Sequence, residues 1–199
     1  MQADCEAGGG IWKGCRGCYS PIVIDLAGNG YNLTNARNGV EFDLTGNGVK
    51  DKVAWTAVGS DDAWLALDRD DNGSIDSAEE LFGNFTFQNA PLPERNGFIA
   101  LAEFDKNKYG GNSDGIIDSR DSVFSRLRLW QDMNHNGISE QNELLTLTSQ
   151  GVIILELDYK ESKRTDEHGN RFKYRAKVRD ARGAHVGRWA WDVFPVSKN

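Results

Sequence analysis

Five short segments of the chain set oxygen-bearing side chains at alternate positions and close on glycine. They are Asp25 to Gly30 with Asn29, Asp43 to Gly48 with Thr45 and Asn47, Asp68 to Gly73 with Asp70 and Asn72, Asn112 to Gly115 with Asp114, and Asp132 to Gly137 with Asn134 and Asn136. Alternate side chains of a tight loop converge on one point, the next carbonyl joins them, and glycine permits the sharp turn without a Cβ penalty. A hard cation that takes roughly 6–8 oxygens at about 2.3–2.6 Å suits such a loop, and flexible all-oxygen loops favour calcium over magnesium or transition metals. Asp, Asn and Gly are also the ordinary turn residues, so one such segment alone says little. Five occurrences carry more weight, because two are followed by acids at both later ligand positions.

The segments differ in completeness. The last offers Asp132, Asn134, Asn136, the Ile138 carbonyl, Glu140 and Glu143. The third offers Asp68, Asp70, Asn72, the Ser74 carbonyl and Asp76, and its closing acid is Glu79 by strict counting, with Glu80 next to it. The fourth starts at Asp105, carries an insertion of about five residues, and continues with Asn112, Asp114, the Ile116 carbonyl, Asp118 and Asp121. The second, with Asp43, Thr45, Asn47, Val49 and Asp51, lacks a downstream Glu and is a weaker metal candidate. The first has Ala27 where a ligand should stand and reads as a turn or a weak site. About three calcium ions are therefore expected.

The elements that would position these loops follow from hydrophobic periodicity. Segments 97–104, 119–130 and 140–148 carry helix-like spacing, with Val123, Phe124, Leu127 and Trp130 on one expected face. This predicts two helix–loop–helix units sharing a middle element. Short β-type segments are expected at 21–25, 38–44, 52–57, 63–67 and 152–159, and a hairpin pairs 171–179 with 185–194. The expected fold is α+β, with short β-hairpins and a C-terminal β-hairpin around EF-hand-like calcium sites. Its parts are a Cys-containing segment (1–19), a calcium-binding module (20–160) and a basic hairpin (161–199).

Composition agrees with this division. The 199 residues carry a net charge of −7 and include 22 Gly and 6 Trp, too much apolar surface for a disordered chain. Residues 1–150 hold 23 acids and 12 bases (−11), whereas 151–199 hold 7 acids and 11 bases (+4). No apolar run approaches the roughly 20 residues of a membrane span, and the opening stretch lacks the apolar core of a signal peptide. Cys5, Cys15 and Cys18 suggest a disulfide from Cys5 to Cys18 or to Cys15, which fits an exported protein. His135, His168 and His185 are scattered and receive no catalytic role. Arg171, Lys173, Arg175, Lys177 and Arg179 alternate with Phe172, Tyr174, Ala176 and Val178. That strand face is either plainly solvated or a surface for an anionic polysaccharide, and the acidic net charge argues against nucleic acid.

The ordered motifs SPIVIDLAGNG (20–30), VEFDLTGNG (40–48), LDRDDNGSID (67–76), ELFGN (80–84), NGFIALAEFD (96–105) and LWQDMNHNGIS (129–139) together resemble secreted bacterial EF-hand-like proteins. More distantly, they resemble the calcium-dependent self-processing module of iron-regulated RTX proteins. The resemblance spans roughly 20–160, implies a calcium-dependent fold, and favours Glu80 over Glu79 as the third loop's closing ligand. Such modules cleave an Asp-Pro bond at their start. Here Ser20 precedes Pro21 and the other prolines follow Ala90, Leu92 and Phe194, so the aspartate that would attack its own carbonyl is missing. The expectation is an exported, non-enzymatic calcium-binding protein.

Overall fold

The computed structural model describes residues 19–91, 94–181 and 188–198. The three cysteines, His185 and part of the C-terminal hairpin's connection lie outside the described residues.

The expected α+β architecture is overturned: the chain is mostly β, a curled antiparallel sheet with one short helix among the described residues. The strands are β1 (Ile22–Asp25), β2 (Val40–Phe42), β3 (Asp51–Val53), β4 (Asp62–Ala66), β5 (Ile116–Ile117) and β6 (Arg128–Trp130). They continue as β7 (Leu144–Thr146), β8 (Ile154–Glu156), β9 (Lys160–Thr165), β10 (Arg171–Arg179), β11 (Trp189–Phe194) and β12 (Ser197–Lys198). Nine form one sheet in the order β5-β8-β10-β11-β1-β4-β6-β7, with β9 also on β10; β12, β3 and β2 form a second.

Apolar clusters cover both faces of the large sheet, and this explains the misread helices. In β4, Ala63 and Leu65 enter one cluster while Trp64 and Ala66 enter the other. Leu129 and Trp130 of β6 divide in the same way, and Leu145 and Leu144 of β7 pack against the first and second clusters respectively. Neighbours on opposite faces define a strand, and the pairings Trp130↔Leu144 and Leu129↔Leu145 fix the register. A strand buried on both faces reads as a continuous apolar run, which periodicity alone does not distinguish from a buried helix. Of the expected helices only the first forms: α1 (Gly97–Ala102), capped by Asn96, whose Oδ1 accepts from Phe98 N–H (2.9 Å) and Ile99 N–H (3.0 Å). Residues 119–126 are bends and turns before β6, and 141–143 are a turn before β7.

Asp192 of β11 ties α1 to the sheet. It is fully buried, and its Oδ2 accepts from the Gly97 N–H. Burial raises its pKa to about 6, against smaller opposing effects from the Gly97 N–H, the Ser20 hydroxyl and Lys173. A carboxyl raised in the folded state binds its proton more tightly there than in the unfolded chain, whose value is about 3.9. Its contribution is therefore fully present below about pH 4 and lost as pH rises to about 6, up to about 3 kcal/mol. Asp192→Asn is expected to remove that slope. Urea midpoints of parent and variant at pH 4.5 and 7.0 in constant calcium measure it; equal pH dependence in both would refute the assignment.

The basic strand β10 is less free than its alternation suggests. The Arg175 guanidinium lies 4.5 Å from the Trp189 ring centroid and 5.4 Å from that of Trp191. Arg171 and Lys173 stand over Phe194 at 5.1 and 5.6 Å. Arg179 pairs with Glu156. Much of the positive charge thus covers aromatic rings of the neighbouring strand.

Candidate metal centre

All five acidic loops adopt one backbone form. In each, the carboxylate of the first Asp accepts from the N–H groups of the fifth and sixth positions. Asp25 accepts from Asn29 (3.2 Å) and Gly30 (2.7 Å), Asp43 from Asn47 (3.2 Å) and Gly48 (2.7 Å), and Asp68 from Asn72 (3.1 Å) and Gly73 (2.8 Å). Asp132 accepts from Asn136 (3.0 Å) and Gly137 (2.9 Å). Asp105 does the same for Asp114 (3.1 Å) and Gly115 (2.9 Å), so the insertion leaves the loop's geometry intact. Fourth and sixth positions are left-handed throughout: Gly28, Gly46, Asp71, Ser113 and His135 at the fourth, and glycine at the sixth. Asp71, Ser113 and His135 hold a conformation that side chains disfavour, a strain the closed loop imposes.

The loops sit at strand ends rather than between helices. The second joins β2 to β3 and the fifth joins β6 to β7. The third follows β4 and ends in a 3-10 turn, Ala78–Glu80. The fourth runs from the 3-10 turn Glu103–Asp105 into β5.

Closing acids complete three of them. Glu80 reaches back over the third loop, accepting from Arg69 N–H (3.3 Å) and Asp76 N–H (2.8 Å), while the Glu79 side chain lies against Gly46 of the second loop. Asp68, Asp70 and Glu80 each offer a carboxylate oxygen within 4.8 Å of the others. Glu143 closes the fifth loop, accepting from Met133 N–H (3.0 Å) and Asn134 N–H (3.5 Å). Asn134 and Asn136 turn their amides toward Glu140 Oε1, at 3.2 and 2.7 Å. Asp121 closes the fourth loop, accepting from Asp118 N–H (2.8 Å). In that loop Arg120 occupies the acids, 2.5 Å from Asp114 Oδ2 and 2.7 Å from Asp118 Oδ2.

The remaining candidates are placed less pointedly. Ser74, Ile116 and Ile138 donate their N–H groups to Asn72, Asp114 and Asn136. In the second loop the Thr45 hydroxyl donates to Asp43 (3.1 Å), Asn47 accepts from Val49 N–H (2.8 Å), Val49 is exposed, and Asp51 pairs with Phe42 in the strand ladder.

Buried carboxylate oxygens supply the test of whether a cation fits. Asp121 Oδ1, Glu140 Oε2 and Glu143 Oε2 are buried and have no hydrogen-bond partner among the described residues. Burial, and then Glu140, raise the Glu143 carboxyl; burial also raises Asp121 and Glu80. Facing carboxylates of this kind hold together through a shared proton or a shared cation. Sequence reading missed two contacts that organise the loops. Ser139 Oγ accepts from Ile75 N–H (2.6 Å) and donates to Ile75 O (3.1 Å), joining the third and fifth loops at equivalent positions. The ring nitrogens of His135 lie 2.6 Å from Thr56 O and 2.7 Å from Asn38 O, clamping the fifth loop to the β2–β3 region.

A curled antiparallel sheet bearing repeated carboxylate loops at its strand ends defines the class: the chain belongs to the SPM domain family, which it matches over residues 22–189. It is similar to the iron-regulated protein FrpA of Neisseria meningitidis serogroup C, with 38% identity over 154 residues. The match covers 76% of this chain and 13% of that relative's length. The kinship with modules of iron-regulated proteins, expected from the motifs, is thereby found. No helix among the described residues is long and apolar enough to cross a membrane.

Proposed function

We propose that the chain is a non-enzymatic calcium-binding module of an exported protein, in which the ion organises the strand-end loops. The observation that carries this reading is the set of buried, donorless carboxylate oxygens at Asp121, Glu140 and Glu143, set against first-position acids in a repeated loop. Calcium would be held by Asp68, Asp70 and Glu80 in the third loop, and by Asp132 with Glu140 and Glu143 in the fifth. It would supply positive charge between the carboxylates of Asp68, Asp70 and Glu80, which otherwise face one another. The fourth loop binds more weakly, because calcium must displace Arg120 from Asp114 and Asp118. The anionic-polysaccharide alternative rests on the same strand, where Arg175 stacks on Trp189 and Trp191 with its charge retained and Lys177 is exposed.

Calorimetric titration of the calcium-free chain tests this. Uptake of at least two tightly held ions and one weaker ion is expected at the third, fifth and fourth loops, and Glu143→Gln should lower the stoichiometry by one. Unchanged stoichiometry would refute the fifth-loop site. On a denaturing gel the same samples should show no calcium-triggered fragment, since Ser20 stands where an aspartate would be needed.

A further inference from the structure

The first loop has Ala27 at the position where its relatives in the chain carry a ligand. The fold brings an acid to that place from a second loop. Asp61, 34 residues later, accepts from Ala27 N–H at Oδ2 (2.9 Å) and from the Asn29 amide at Oδ1 (3.0 Å). Its neighbour Asp62 is 1% exposed; Oδ2 accepts from Asn32 N–H (2.8 Å) and Ser60 Oγ (2.7 Å), while Oδ1 has no partner among the described residues. Asp25, Asp61 and Asp62 each present a carboxylate oxygen within 4.8 Å of the others.

We propose that Asp25, Asp61 and Asp62 form a further calcium site, built from two loops and completed by the orphaned oxygen of Asp62. Hydrogen bonds account for the near side of the cluster: backbone N–H groups hold Asp25, and Asn32 with Ser60 holds Asp62. They leave three negative charges facing one another with no cation contributed by the chain in the contacts described. Each carboxylate oxygen has a second lone pair, so Asp25 can hold its turn and a metal together.

This inference rests on reading the acidic loops as calcium sites, and site-resolved detection separates the two. In a calcium titration followed by 1H–15N NMR of the whole chain, the Gly30 amide should shift with calcium, as should Gly73 and Gly137. Asp61→Asn, which keeps the side chain's shape, should abolish the Gly30 shift, leave those of Gly73 and Gly137, and lower the stoichiometry by one. Asn29→Asp, adding a carboxylate, should tighten the Gly30 transition several-fold. If Gly73 and Gly137 respond while Gly30 does not, the further site is overturned and the module's function stands. If only Gly30 responds, the reverse holds. A Gly30 shift that persists in Asp61→Asn at full stoichiometry also overturns the site.

Discussion

Chelating calcium with EGTA is expected to lower the melting temperature by about 10–30 °C. A site with a dissociation constant of about 10 μM, facing about 1 mM calcium, stabilises the folded chain by roughly 2.7 kcal/mol. Two or three such sites give about 5–8 kcal/mol, and each kcal/mol moves the melting temperature by about 2–4 °C at this size. The sum is comparable with the roughly 5–15 kcal/mol of a whole domain. Without the ion, Asp68, Asp70 and Glu80 repel across less than 4.8 Å, and the buried oxygens of Glu140 and Glu143 have no hydrogen-bond partner among the described residues. The Trp55–Trp64–Trp130 cluster, with ring centroids 4.6 Å (Trp55–Trp64) and 5.3 Å (Trp55–Trp130) apart, ends two residues before Asp132, so its fluorescence reports the melt. Equal melting curves with calcium and with EGTA would sink the structural role of the ion.

Gly83→Ala is expected to destabilise the chain by more than about 4 kcal/mol, in calcium as well as in EGTA. A Cβ at Gly83 would fall 1.6 Å from the Ser20 carbonyl oxygen and 2.8 Å from its carbon. Overpacking by a flexible side chain ordinarily costs about 1–3 kcal/mol, but here both partners are backbone and neither has a rotamer to change. Relief requires parting the 82–84 segment from β1, which loses the Pro21↔Gly83 bridge and the Ile22 N–H bond to Phe82 O (2.9 Å). Gly59→Ala is the control: its Cβ meets nothing within 4 Å, so only the left-handed backbone (φ +70°) resists it, at about 1 kcal/mol. Similar urea midpoints for the two variants would contradict the close approach.

The loops were legible in the sequence because their chemistry is local. Asp at the first position and glycine at the sixth are demanded by contacts within six residues, and the insertion after Asp105 did not hide them because Asn112, Asp114 and Gly115 keep the remaining spacing. The strands β1, β2, β4, β10 and β11 were legible for the same reason, each being a short apolar or alternating run between turn residues. What failed was the frame between the loops. Val123, Phe124, Leu127 and Trp130 look helical until one knows that both faces of β6 are covered, a fact that resides in β4 and β7 rather than in residues 119–130. Glu79 and Glu80 were separable only through the resemblance, since the 3-10 turn that aims Glu80 inward leaves no mark in composition. Asp61 was invisible as a partner of Ala27 because nothing local to either residue predicts their meeting.

The place of β1 in the sheet carries a further consequence, for the order of folding. Its two neighbours are β4 and β11, so residues 22–24 wait for residues 190–192 before the middle of the sheet is closed. A contact of that sequence separation is entropically slow to form, and a chain rich in such contacts folds slowly for its size. An N-terminal portion emerging alone would expose the Ile22–Asp25 edge with no β11 to cover it. The topology thus postpones completion until nearly the whole segment is present, whereas the bonds from each loop's first Asp to its sixth-position glycine join residues only 5 to 10 apart.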